Sequence, residues 1–533
     1  MVVPEQRPWR AAGPHVRRLA NAVRPRLARA ATAAKPRIAR LAKAVRPELA
    51  HLPRRRTDRT WQYTAGAATA GLALAAAVVT AAGPWDADGQ RTAERDRAAA
   101  LERSGGADHG GSGANDRAPQ AAPSAAAVLA GLGGTTGTVG TKKAPPGRQA
   151  LTDVLRPLLD VPALGTGHGA AVVDVTTGTR LYAAGADRAL TPASTTKIAT
   201  AVAALSALGS DHRFTTRAAL EPDTGELVLV GGGDPTLTAR AAAGDLASLR
   251  TLAAGTAATL AKRGIHKITL SYDTTLFSGP ALHPIGVNDN LAPVSALTAD
   301  EGRTDDSTSG PATRVTDPPA DAARKFAGFL RDAGVETTPP GPSKATGRAE
   351  TLATVSSPTL ATIVERMLTN SDNDIAETLA RQTGLASGEA GSFAGGAKAI
   401  ATQLRKLGLP LSGASFHDGS GLDREDRLTA DLLTALLVKA GDPARPGLRP
   451  VLTGLPVAGF TGTLADRYTD GAAGVVRAKT GTLTGVNTLA GTAVDRDGHL
   501  LAFAFLASGT PGAQEAQRAL DRTATTLAGC GCG

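Results

Sequence analysis

Hydrophobic patterning divides the chain near residue 150. Beyond that point, short apolar runs alternate with helical stripes. Ala170-Ala171-Val172-Val173-Asp174-Val175 predicts a buried strand, and Thr176-Thr177-Gly178-Thr179 its turn. A second strand is expected around Leu181-Tyr182-Ala183-Ala184. Ile198, Val202, Leu205 and Leu208 then recur at helical spacing, so a helix begins near Ser194. Leu360, Ile363, Val364 and Met367 form another such stripe, and Ile375-Ala376-Glu377-Thr378-Leu379 opens a further helix after a short connection. Towards the C-terminus the pattern predicts strands at Val475–Lys479, Val486–Ala493 and Leu500–Ala507, then a helix from about Gly512 to Leu527. Strand-like runs at 227–231 and 268–272, with a Pro/Gly-rich stretch near 339–342, fill the long interval between the first two helical regions.

Before residue 150 the pattern is different. Residues 86–149 are rich in Ala, Gly, Ser, Asp and Arg with few large apolar side chains, as in a flexible tether. Thr60–Trp85 is uncharged and has the length of a bilayer span, bracketed by Trp61 and Trp85. Arg54, Arg55, Arg56 and Arg59 precede it on one side only, which predicts a cytoplasmic N-terminus and export of everything after residue 85. A cleaved export signal, with Thr80-Ala81-Ala82 as its small-residue site, is the alternative reading and implies secretion.

Charge sharpens this division. Of the net +10, the tail at 1–59 supplies +13, from 16 Lys/Arg and 3 Asp/Glu. The remaining 474 residues are slightly acidic, so nucleic acid is a poor partner for the body of the protein. Within the tail, Arg24-Pro25, Lys35-Pro36 and Arg46-Pro47 recur every 11 residues, a weakly amphipathic pattern that the prolines break into short helices. The only cysteines, Cys530 and Cys532, stand too close to bridge without strain and have no neighbouring metal ligands. No disulfide scaffold, metal or cofactor is therefore expected.

Three motifs carry the chemistry: Ser194-Thr195-Thr196-Lys197, Ser371-Asp372-Asn373 and Lys479-Thr480-Gly481. Spacing of i, i+3 on a helix brings the Lys197 amine within reach of the Ser194 hydroxyl. A lysine whose pKa is depressed by burial can take the serine proton and make the hydroxyl a nucleophile. Ser371 and Asn373 offer a hydroxyl and an amide at an inter-helix turn, suited to relaying a proton and holding a substrate amide. Lys479, Thr480, Gly481 and Thr482 lie on a strand, where a peptide can pair with the edge and a cation with hydroxyls can grip a carboxylate. Glycine there would let a ligand backbone approach. Each motif alone is also an ordinary cap, turn or strand end; their order is what is informative.

With these motifs, residues 150–527 resemble the S13 serine peptidases, low-molecular-weight penicillin-binding proteins of the D-alanyl-D-alanine carboxypeptidase/endopeptidase type. Pro192-Ala193-Ser194, Gly233-Asp234-Pro235-Thr236-Leu237, Pro293-Val294-Ser295-Ala296-Leu297 and Asp418-Gly419-Ser420-Gly421-Leu422 are similar to further family signatures. The resemblance implies an α/β (α+β) fold: a penicillin-binding/β-lactamase-like domain, an antiparallel sheet covered by helices, at 150–212 and 345–527. A large insert at 213–344 would interrupt it, and a C-terminal tail at 528–533 would follow. It also implies that Ser194 is acylated, that Lys197 is its base and that Ser371 passes the proton to the leaving group. Asn373 would then bind the substrate amide, and Lys479, Thr480, Gly481 and Thr482 would form the carboxylate-binding strand. Backbone N–H groups of Ser194 and Thr482 would supply the oxyanion hole, while Asp418 and Ser420 would be structural. The implied partners are peptidoglycan stem peptides ending in D-Ala-D-Ala, β-lactams as acylating inhibitors, and the membrane through 60–85.

Three rival readings fit the sequence less well. A class A β-lactamase needs a glutamate followed by an asparagine, yet no asparagine lies between Asn373 and Asn487. A Ser-His-Asp hydrolase finds only His417-Asp418 near Ser420 and no G-x-S-x-G elbow. A catalytically weak wall-binding or β-lactam-sensing protein would have little reason to keep all three motifs.

Overall fold

The computed structural model describes residues 147–468 and 471–531. The basic tail at 1–59, the apolar segment at 60–85, nearly all of the linker and Cys532 lie outside the described residues. No helix among the described residues is long and apolar enough to cross a membrane.

Helix α1 (Arg148–Leu159) buries Leu151, Leu155 and Leu159, one side chain per turn. The apolar run after it forms β1 (Gly167–Asp174), and β2 (Arg180–Ala184) returns beside it. A short 3-10 turn, Ala193–Thr195, leads into α2 (Thr196–Leu208). The sequence pattern predicts one apolar face on α2, but every residue from Thr196 to Leu205 is buried. Ala199, Ala201, Ala203 and Ala204 are small enough for neighbours to close on all its sides, which makes α2 the central helix.

The chain then leaves to build a second, mixed sheet. Its elements are β3 (Thr215–Leu220), β4 (Glu226–Val230), α3 (Leu249–Lys262), β5 (Lys267–Asp273), α4 (Pro318–Asp332) and the short β6 (Glu336–Thr337), β7 (Gly341–Pro342) and β8 (Glu350–Ser356). Strand order is β6-β5-β4-β3-β8, with β7 also on β5; β4, β6 and β7 each pair in parallel with β5, and β3 is antiparallel to both β4 and β8. Leu227, Leu229, Leu252, Leu260, Phe326 and Leu330 give this sheet and its two helices a core of their own. β8 lies past the expected insert boundary at 344, because its backbone pairs with β3 along Thr215–Leu220.

Returning, the chain forms α5 (Leu360–Asn370), α6 (Asn373–Ala386), α7 (Phe393–Lys406) and α8 (Ala430–Gly441). It closes with β9 (Val476–Leu483), β10 (Val486–Val494), β11 (Leu500–Ser508) and α9 (Ala513–Ala528). The first sheet is antiparallel throughout, in the order β2-β1-β11-β10-β9. Alternation along β11 separates two cores: Ala502, Ala504 and Leu506 face α2 and its neighbours, while Phe503, Phe505 and Ala507 face α1 and α9. With both faces covered, its strands read as continuous apolar runs rather than alternating ones. Cys530 is buried and disulfide-bonded, which corrects the expectation that the C-terminal cysteines stay unbridged.

Candidate active site

Ser194 sits on the 3-10 turn ahead of α2. Ala193 just before it has φ +49°, a strained left-handed conformation for a residue with a Cβ. Two glycines allow the turn to pack where it does. A Cβ on Gly481 would fall 2.1 Å from Thr488 Oγ1 and 2.8 Å from Pro192 O, and one on Gly421 would fall 1.9 Å from Ala193 O. Gly481 therefore admits the turn that carries Ser194, a requirement separate from the substrate approach that the sequence suggests.

One turn into α2, Lys197 is fully buried. Its Nζ lies 2.9 Å from Ser194 Oγ, 2.7 Å from Asn373 Oδ1 and 2.8 Å from the Ser420 carbonyl. Two of those three neighbours can only accept hydrogen bonds. As an ammonium, Lys197 donates to all three; once neutral, it keeps two N–H bonds to the carbonyls and leaves its lone pair to the serine hydroxyl. Burial pushes the Lys197 pKa down to about 8, although Asp418, Glu377, Asp372 and Asp426 pull it back up.

The second motif forms the junction between α5 and α6. Ser371 caps α5 with φ +58°, and the Asp372 carboxylate caps α6 by accepting from Ile375 N at 3.0 Å. This two-residue junction turns Asn373 towards Lys197, and Asn373 Nδ2 donates to Asn290 O at 3.0 Å. The two bonds fix the orientation of the amide. Ser371 is half-buried, and its hydroxyl has no hydrogen bond among the described residues.

β9 carries the third motif at the edge of the first sheet. Its outer edge is covered at one end, where Ala458 N donates to Val476 O and Ala478 N to Pro456 O, each at 3.0 Å. From Lys479 to Leu483 no strand covers that edge among the described residues. Lys479 is buried, and its Nζ donates to Thr480 O at 2.8 Å. Burial holds its pKa well below the usual lysine range, helped by the charges of Lys197 and Arg467. Thr480 Oγ1 donates to Thr463 Oγ1 at 3.0 Å, and exposed Thr482 is reached by Gln517 Nε2 at 3.4 Å.

The resemblance makes Asp418 and Ser420 structural, yet the Ser420 carbonyl lies 2.8 Å from the Lys197 amine. Glu377 accepts from Gly419 N and Ser420 N, while Asp418 accepts from Gly421 N at 2.6 Å and Asp423 N at 2.7 Å. Asp418 pairs with His283 at 3.1 Å, not with His417, which is exposed. The Ser420 hydroxyl lies 3.3 Å from Asp418, which stands between serine and histidine, so no Ser-His-Asp relay forms here. Asn290 and His283 carry no sequence signal of their own; a backbone carbonyl and an isolated histidine look like nothing in particular.

A five-stranded antiparallel sheet, a central helix bearing Lys197 with Ser194 on the turn just before it, and an open strand edge beside them define a penicillin-recognising serine acyl-transfer fold. The sequence matches the D-Ala-D-Ala carboxypeptidase 3 (S13) family over residues 150–313 and 304–527. The chain belongs to this family and is a serine-peptidase hydrolase of the D-Ala-D-Ala carboxypeptidase type. It is 37% identical over 407 residues to carboxypeptidase DacB of Mycolicibacterium smegmatis, covering 73% of this chain and 86% of that protein. It is 36% identical over 402 residues to carboxypeptidase Rv3627c of Mycobacterium tuberculosis, again covering 73% and 86%. Penicillin binding protein 4 of Haemophilus influenzae shares the fold: TM-score 0.58 and 23% identity, covering 71% of this chain and 98% of that one.

Proposed function

We propose that this protein removes the terminal D-alanine from peptidoglycan stem peptides through an acyl-enzyme on Ser194. The observation that carries the reading is the buried Lys197 amine, held by two carbonyls with its remaining valence facing Ser194 Oγ. Ser194 Oγ attacks the carbonyl carbon of the penultimate D-alanine, and Lys197 Nζ takes the hydroxyl proton. The C–N bond breaks, and Ser371 passes a proton to the departing D-alanine amine. Water then cleaves the ester and frees Ser194. Backbone N–H groups of Ser194 and Thr482 hold the oxyanion, an interaction worth about 3–4 kcal/mol per donor.

The peptide lies along the open edge of β9, with Asn373 on its amide. Its terminal carboxylate meets Lys479, Thr480 and Thr482. An anion there favours protonated Lys479 and opposes the burial that depresses its pKa. A β-lactam presents a reactive amide and a carboxylate in the same places, and acylates Ser194. The same chemistry extends to D-alanyl cross-links. The protein acts outside the membrane, anchored through 60–85 with its basic tail inside.

Labelled penicillin and a D-Ala-D-Ala tripeptide offered in parallel test this reading. Wild type takes up label and releases D-alanine, and Ser194→Ala does neither. Label retained by Ser194→Ala removes the nucleophile assignment. Labelling without D-alanine release supports a β-lactam sensor instead.

A further inference from the structure

The mechanism above uses no residue of the segment between β5 and α4, yet that segment is fastened against the active site. Arg381 on α6 donates to Ser278 O at 3.0 Å and Pro280 O at 2.7 Å. Asn290 O receives the Asn373 amide, and Ala292 N donates to Asp374 Oδ1 at 2.9 Å. Between these ties, His283 is buried and its Nε2 faces Asp418 Oδ2 at 3.1 Å. Ile285 N donates to Nδ1 at 3.2 Å, so the arrangement suits the neutral ring with its proton on Nε2. Phe393 packs edge-on against it at 5.1 Å.

We propose that His283 is a positioning residue for the acylation step: it donates to Asp418, holds the loop whose Ser420 carbonyl binds Lys197, and tempers the negative field that Asp418 exerts on that amine. The inference rests on the proposed role of Lys197 as the base. Asp418 accepts from the two backbone N–H groups that shape the loop, and His283 is the side chain from the inserted segment that completes its shell. Thr200 Oγ1 takes the adjacent Gly419 carbonyl at 2.6 Å, so successive carbonyls of the loop grip two turns of α2. The segment that departs from the compact fold therefore returns a group to the catalytic base.

The consequence for pH has a definite sign. Lys197 faces Asp418, Glu377, Asp372 and Asp426, with Lys479 as the opposing cation. His283 faces Asp418, Glu377 and Asp423. Loss of the His283 donor leaves Asp418 more negative at Lys197 whether the ring is neutral or charged. Protonated Lys197 is then favoured, and the acid limb of acylation moves to higher pH.

The test is the second-order rate of Ser194 acylation by labelled penicillin between pH 5.5 and 10, on the full chain, with melting temperature as a folding control. His283→Ala is expected to move the acid limb up by about half a pH unit or more, at least a threefold loss at pH 7. His283→Gln, which keeps a donor for Asp418, is expected to restore the wild-type limb. Asp418→Asn, which removes the charge, is expected to move the limb down. This third arm decides the matter if His283→Ala does not fold. Superimposable limbs for wild type and His283→Ala, or for wild type and Asp418→Asn, overturn the proposal. So does a His283→Gln limb displaced as far as that of His283→Ala. Wild type that takes no label at Ser194 refutes the functional reading itself, an outcome distinct from any of these.

Discussion

At the scale of single residues, the proposed reaction turns on one proton. Lys197 can accept it from Ser194 only when neutral, and burial holds its pKa near 8. Acylation by penicillin should therefore rise about tenfold per pH unit below pH 7 and level off above about 8, as stopped-flow measurements would resolve. A flat profile between pH 6 and 8 would remove Lys197 as the base. Lys197→Ala should lower the rate by about 10³-fold with little change in fold, checked by circular dichroism. Gly481→Ala tests a different property. The added Cβ has no room beside Thr488 Oγ1 and Pro192 O, so the variant should lose about 1–3 kcal/mol in denaturant melts and misplace Ser194. The motif residues were legible because their chemistry is written in side chains. The Ser420 and Asn290 carbonyls were not, since every residue has one and only the fold aims it.

Among elements, the junction of α5 and α6 shows how a plain turn becomes a site. Ser371 supplies the left-handed turn and Asp372 the cap, and together they aim Asn373 at Lys197 from 176 positions away in sequence. The stripe at Leu360–Met367 predicted α5 and the run from Ile375 to Leu379 predicted α6; the pairing with Lys197 needed α2 packed against α6. Arg381, two turns further along α6, is buried and donates to Ser278, Pro280 and Gly391 carbonyls while stacking 4.4 Å above Phe393. Arg381→Ala would strand those acceptors, so a loss of about 3 kcal/mol or more is expected. Hydrogen exchange should then quicken first in the segment at 274–292. Protection unchanged there would mean that the segment is held by other contacts.

For the whole molecule, buried acids govern stability. Burial holds the carboxyls of Glu377, Asp374, Glu301 and Asp426 above the ordinary carboxylate range. The folded protein thus binds more protons than the unfolded chain between about pH 4 and their raised values, so stability falls as pH rises through that window. The melting temperature should be highest near pH 5 and decline towards pH 8 in scanning calorimetry; an increase over that range would contradict the assignment. Asp418 works the other way: although burial opposes ionisation, His283 and backbone donors lower its pKa, so its contribution disappears in stronger acid. By itself, the sequence determined the strands and helices that flank the three motifs, the motifs themselves and the family, because periodicity and reactive side chains are local. Tertiary structure decided which carbonyls hold Lys197, which edge of β9 stays open and which histidine reaches Asp418. Those outcomes depend on packing between segments up to hundreds of residues apart, where shape and burial act and local spacing carries no information.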